Sequence, residues 1–280
     1  EGGVSQEALQ LFSDSGFQWV ASGGNVLENS HDAESKACSH RVYCFGEASV
    51  RCVFRDDGLS DLIGFTYSDW HAEDAIGNLI GHMENIAAVC PDRDDCLITI
   101  ILDGENAWEY YPRNGHYFLN HLYEALAAHP GLTLTTFSKF LDSHPAQPAH
   151  EEKLVAGSWV YGTFSTWIGD PGKNRAWELL VEAKQAFDRQ VAAGSLTAEE
   201  LAAAEQQLAI CEGSDWFWWF GDYNPSATVS QFDQLYRMHL ANLYQLLNVE
   251  APPHLAEVIS HGGGDPAKGG VMRHGVEQHG

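Results

Sequence analysis

The sequence predicts an α/β fold that gives way to a mostly helical region. Three observations predict it. Short apolar or alternating runs alternate with helical periodicity up to about Asp142, the order that builds a parallel sheet with right-handed crossovers, closed or open. The most apolar run, residues 97–102, stops at an aspartate, Asp103. Beyond Asp142 the apolar spacing is helical and the loops are long.

Taken in order, residues 5–15 place Ala8, Leu11 and Phe12 on one helical face, and Gly16 ends the helix. Residues 17–21 read as a strand, followed by a Gly-rich loop at 22–25. Residues 42–45 and 50–54 alternate like a hairpin, and 62–65 reads as a short apolar strand. A helix over 71–89 follows from Ile76, Leu79, Ile80, Met83 and Ile86. The strand at 97–102 precedes a helix over 116–128, and 132–136 reads as a further strand. In the second part, Asp170-Pro171 starts a helix over 173–193 that Gly194 ends. Thr197 with Glu200 forms a capping box for a helix to about Cys211. Phe232, Leu235, Tyr236, Leu240, Leu243 and Leu247 mark a third helix, and the Gly- and His-rich stretch beyond His261 reads as a flexible tail.

Composition narrows the function classes. Among 280 residues, 39 Asp plus Glu against 15 Lys plus Arg give a net charge of −24. Phosphate binding needs a basic surface, so nucleic acid is not an expected partner. An aromatic content of 11% supplies core material and argues against disorder. No apolar run nears the roughly 18 residues that span a bilayer, so a soluble chain with no membrane partner is expected. Six cysteines lack a short repeated spacing, which favours a reducing, cytoplasmic compartment over a disulfide scaffold. The first residue is Glu1 rather than Met, which suggests a processed chain or a piece of a longer one.

Two clusters could carry chemistry. Reactive groups of parallel α/β folds gather at the carboxyl ends of strands, and Asp103 has that place. It opens a nine-residue stretch with the acids Asp103, Glu105 and Glu109, the amide Asn106, and Trp108, Tyr110 and Tyr111. Carboxylates beside flat rings suit glycoside hydrolysis, in which one acid protonates the leaving oxygen and another attacks the anomeric carbon. The pattern alone also suits an acidic surface loop with a helix cap. The second cluster, 212–223, runs five aromatics from Trp216 to Phe220 between Asp215 and Asp222. It reads either as helix-packing core with one exposed edge or as a surface partly facing a polar ligand. Neither Cys38-His40-Cys44 nor Cys90 with Cys96 fits the close spacing of structural zinc, so no metal or cofactor is expected. There is no G-x-S-x-G elbow for a serine nucleophile, and Gly172-Lys173 lacks the rest of a phosphate loop.

At these residues the sequence resembles glycoside hydrolase family 57, most closely its amylopullulanase and bacterial α-amylase-like branch. The resemblance runs from Glu1 to about Leu255, on Glu1-Gly2-Gly3-Val4-Ser5, on 102–108 and on 212–219, with 54–65 and 157–177 between them. It implies an α/β chain that forms the C-terminal part of an incomplete (β/α)7 barrel over 1–145, a helical region over 146–255 that completes the active site, and a tail over 256–280. It also implies retaining hydrolysis of α-glucans, with Glu1 as nucleophile and Asp103 as acid/base. Glu105 and Asp215 then resemble substrate-binding positions, with Trp159, Trp216 and Asp61 as further sugar contacts.

In a retaining enzyme the two carboxyls lie about 5–5.5 Å apart and the acid/base starts protonated. Family members carry an H-Q-P-type strand motif and further barrel strands ahead of the nucleophile, and these are not in the sequence. The resemblance therefore implies a fragment, with exposed strand edges, that is inactive or aggregation-prone alone. A 4-α-glucanotransferase or glucan branching enzyme and a non-catalytic glycan-binding fragment are the alternatives, and a metal-dependent deacetylase on a related barrel is a weaker one.

Overall fold

The computed structural model describes residues 1–31, 38–90, 93–104, 107–144 and 148–264. The chain forms two compact units, Glu1–Phe164 and Ser165–Gly280.

In the first unit, helix α1 (Gln6–Asp14) starts where the Ser5 hydroxyl accepts the Ala8 N–H at 3.1 Å. Four short strands form one sheet: β1 (Trp19–Ser22), β2 (Tyr43–Phe45), β3 (Arg51–Phe54) and β4 (Ala149–Glu151), in the order β1-β3-β2-β4. The β1/β3 and β2/β4 pairs are parallel, while β2 meets β3 antiparallel with Tyr43 opposite Cys52. The sheet is thus mixed rather than wholly parallel, because the hairpin expected at 42–54 does form. Its apolar face buries Tyr43, Phe45, Val50, Cys52 and Phe54 with Leu9, Val26, Leu27 and Leu154.

Beyond the sheet, helices α4 (Ala72–Val89) and α5 (His116–Ala128) enclose a second core of Leu59, Ile63, Tyr67, Ile76, Leu79, Met83, Tyr111 and Phe118. Both helices match the periodicity read from the sequence.

Four local readings are corrected. The Gly-rich stretch at 22–25 is the end of β1 and the start of a helix, α2 (Gly24–Ser30). Residues 62–65 are helical: Asp56 caps α3 (Asp57–Asp61), its carboxylate accepting the Leu59 N–H at 2.8 Å, and a π-helical turn continues over Leu62–Thr66. Leu59, Ile63 and Tyr67 recur every four residues, a helical spacing that a four-residue apolar window conceals. Tyr111 Oη donates to the Ile63 carbonyl inside that π turn. Residues 97–102 join no ladder among the described residues; the Leu97 N–H donates to His40 O at 2.9 Å, and Thr99 O accepts the Asp56 N–H at 2.8 Å. Residues 132–136 are no strand either, and Thr136 instead caps helix α6 (Phe137–Ser143).

The second unit is helical. Asp170 caps α7 (Pro171–Ala193), accepting the Gly172 and Lys173 N–H groups, and Gly194 closes it at φ 63°. A capping box between Thr197 and Glu200 starts α8 (Ala198–Cys211). The aromatic run forms a short helix, α9 (Asp215–Trp219), ahead of α10 (Ser226–Leu246). Phe217 and Phe220 are buried against Tyr236, and Phe217 stacks on Trp177 at 3.6 Å, so this part of the run is core. Among the described residues, no helix is long and apolar enough to cross a membrane.

Candidate active site

The backbone around Glu1 is held from two sides. Val4 and Gly157 exchange hydrogen bonds of 2.8 and 3.0 Å, and the Trp159 N–H donates to Glu1 O at 3.3 Å. The Ser22 hydroxyl, at the end of β1, donates to Gly2 O at 2.6 Å. This places Trp159 beside Glu1, and its indole Nε1–H donates to Glu1 Oε2 at 3.3 Å. The close fit depends on Gly23, where a Cβ would stand 2.5 Å from Trp159 Cα.

Arg55, which sequence reasoning did not single out, organises the rest. It is the residue after β3 and is buried. Its guanidinium lies 5.1 Å from the Trp159 ring centre, a cation–π contact. Its Nη1 reaches Asp57 at 2.8 Å, its Nη2 reaches Asp61 at 2.7 Å, and its Nε donates to Ile101 O at 3.0 Å. One buried cation therefore links the Trp159 ring, the acids of α3 and the segment that leads two residues later to Asp103. The Ser60 hydroxyl accepts the Ile101 N–H at 3.2 Å from the other direction, and Asp103 itself is half-buried.

Electrostatics follow from this packing. Burial pushes the Asp57 carboxyl above the usual carboxylate range, against the pull of the Arg55 hydrogen bond and charge. Burial also pushes Asp56 upward, but the His40 hydrogen bond, the Leu59 N–H and the charges of His40 and Arg55 outweigh it and hold Asp56 low. His40 Nε2 lies 2.8 Å from Asp56 Oδ2.

Of the site residues read from the sequence, Glu1, Trp159 and Asp61 are joined through Arg55, and Asp103 follows Ile101 on the same connected segment. Glu105 lies outside the described residues. Asp215 and Trp216 belong to the second unit. There Asp215 is exposed, while the Trp216 ring packs against Phe232 and Tyr236 and its Nε1–H donates to Ile210 O at 2.8 Å. Arg55 carried no local signal beyond its place among the acids of 54–65.

The first unit thus gathers Asp57, Asp61 and the Trp159 indole around one buried arginine, with Glu1 on the far side of that indole. Comparison with known proteins gives the family. The family model for glycosyl hydrolase family 57 matches residues 1–152, more than half of the chain, and the chain belongs to that family. No curated protein sequence matches it.

Among solved structures the chain is similar to a branching enzyme of this family from Thermococcus kodakaraensis, at 15% identity and TM-score 0.68, covering 85% of this chain and 53% of that one. It is similar to a second branching enzyme, from Pyrococcus horikoshii, at 18% identity and TM-score 0.64, covering 84% and 49%. It is also similar to a 4-α-glucanotransferase from Thermococcus litoralis, at 13% identity and TM-score 0.55, covering 87% and 41%. The chain thus spans about half the length of the branching enzymes it resembles.

Proposed function

We propose that this chain supplies the catalytic carboxylates of a retaining enzyme acting on α-glucans, of the amylase and amylopullulanase type. The observation that carries the proposal is the connected set Glu1–Trp159–Arg55–Asp61, with Ile101 on the same arginine two residues before Asp103. Glu1 attacks the anomeric carbon to form a glycosyl-enzyme; Asp103 protonates the departing oxygen and then activates water. Asp61, Trp159 and Glu105 contact the sugar. The sheet would be the C-terminal part of an incomplete (β/α)7 barrel. Since the chain covers about half of its relatives' length, the activity is proposed for the catalytic unit that these residues help to build.

The test pairs Glu1→Gln and Asp103→Asn in the active protein with maltooligosaccharides and amylose. Each variant should lose at least about a thousandfold in kcat while still binding glucan, in line with the loss of a covalent or proton-transfer step. Unchanged turnover in both would show that neither carboxylate carries the chemistry, and Glu1 and Asp103 carboxyls more than about 10 Å apart in an experimental complex fit neither glycosidase geometry. A transfer reaction is the second reading, favoured by the likeness to branching enzymes and a 4-α-glucanotransferase. Elongated or branched products rather than shortened chains would establish it.

A further inference from the structure

Asp103 stands at the end of a segment that joins no strand ladder among the described residues, so bonds other than those of a sheet hold it. They fall on alternate residues, the spacing at which an extended chain presents backbone groups along one edge. The Leu97 N–H donates to His40 O at 2.9 Å, and Thr99 O accepts the Asp56 N–H at 2.8 Å. Both backbone groups of Ile101 are engaged: its N–H donates to the Ser60 hydroxyl at 3.2 Å, and its carbonyl accepts from Arg55 Nε at 3.0 Å.

Residues 55–60 supply three of these four bonds. The side chains of Ser60 and Arg55 do for Ile101 what a neighbouring strand does in a ladder. Ser60 lies in α3 and is 0% exposed, and the Asp56 cap fixes the start of that helix. A hydroxyl enclosed in this way cannot touch a sugar. What it reaches is the amide of Ile101, two residues before Asp103.

We infer that Ser60 is a positioning residue for Asp103, acting through Ile101 to fix where the acid/base carboxyl stands; the inference rests on the acid/base role proposed above. Arg55 is shared among Asp57, Asp61 and the Trp159 ring, so changing it disturbs the whole set. Ser60→Ala deletes one oxygen, the acceptor of the Ile101 N–H, and keeps the Cβ. In the first chemical step Asp103 passes its proton to the glycosidic oxygen as the bond from that oxygen to the anomeric carbon breaks and the bond to Glu1 forms. A carboxyl displaced by about 1 Å can lose roughly a hundredfold in rate. Fluoride, by contrast, departs from the anomeric carbon without that proton, so a glycosyl fluoride is insensitive to a misplaced acid.

The test compares kcat/KM, which reports the steps up to the glycosyl-enzyme, for a maltooligosaccharide and for α-maltosyl fluoride in the active protein. Asp103→Asn should lose at least about a hundredfold on the oligosaccharide and far less on the fluoride. Ser60→Ala should show the same pattern in milder form, falling about tenfold on the oligosaccharide and less than about twofold on the fluoride, since Arg55 still holds the Ile101 carbonyl. Ser60→Cys, similar in shape with a poorer acceptor, should fall between parent and Ser60→Ala, and it carries the test if the alanine variant does not fold. A merely structural role would lower both substrates alike. A parent-like ratio of the two substrates in the Ser60 variants, alongside the expected split in Asp103→Asn, would overturn the inference and leave the acid/base assignment standing. Equal losses on both substrates in Asp103→Asn would overturn that assignment, and the inference with it.

Discussion

Replacing Arg55 with Met removes one buried cation from four partners while keeping an unbranched apolar stem. Taking one partner from a buried ion pair costs roughly 3–5 kcal/mol, but Asp57 and Asp61 keep 30% and 47% side-chain exposure, so water screens much of what is left behind. The bond to Ile101 O and the cation–π contact with Trp159 are lost as well. Together these place the loss at about 2–3 kcal/mol. At about 2–4 °C per kcal/mol for a unit of this length, the melting temperature should fall by roughly 5–10 °C.

The pH dependence gives an independent check. Burial already holds the folded Asp57 value above its unfolded one, with Arg55 opposing. A raised carboxyl binds its proton more tightly in the folded state, so its contribution to stability is lost as pH rises through the folded value. Removing Arg55 raises the value further. The deficit of the variant should therefore be largest at neutral pH and shrink on acidification towards about pH 4. Arg55→Lys, which supplies a point charge rather than a fork, should recover only part of the loss. A melting temperature at neutral pH within about 2 °C of the parent would refute the reasoning, as would a deficit that ignores pH.

Trp159→Phe keeps a ring under Arg55 but deletes the donor to Glu1; kcat on amylose should fall about tenfold with the melting temperature unchanged, and full activity would separate Trp159 from Glu1. In Gly23→Ala, the new Cβ meets the Trp159 backbone at 2.5 Å; about 1–3 kcal/mol of stability should go, and an unchanged denaturation midpoint would contradict the close approach. Asp56 is held below its ordinary value of 3.8, so the stability it contributes is present above that value and is lost as pH falls through the folded one. The gap between parent and Asp56→Asn should thus close below about pH 4, and urea titrations showing a constant gap would count against it.

Lys173 is fully buried, and burial, opposed by Asp170, brings its ammonium down to about 8 from 10.5. Between those values the unfolded chain binds more protons, so the parent should gain stability over Lys173→Met as pH rises from about 8 towards 10.5. A flat difference in calorimetric scans would show that Lys173 titrates normally.

How much the sequence revealed depended on the range of the bonds involved. Helices α4, α5, α7, α8 and α10 were legible, as were the Asp170 cap and the Thr197–Glu200 box, because those bonds join residues three or four apart. The strand expected at 97–102 was misread for the opposite reason: an apolar run shows that a segment is buried, not which backbone will pair with it. Its amides and carbonyls bond to His40, Asp56, Ser60 and Arg55. The turn at 62–66 was misread because the helix is set by Asp56, six residues before its first residue, outside the short apolar window.

The site divides in the same way. By themselves the residues marked Asp103 as candidate chemistry, since carboxylates beside aromatic rings announce what they can do; Glu1, Trp159 and Asp61 entered through the family resemblance. Only the tertiary structure showed that Arg55 meets Asp61 and Trp159 and holds Ile101, two residues before Asp103. The Trp159 indole reaches Glu1 across 158 residues of sequence, and Arg55 reaches Ile101 across 46. A lone arginine among acids reads as an exposed charge until burial removes the water around it. What decides its role is which distant side chains arrive to replace that water, and local sequence holds no record of them.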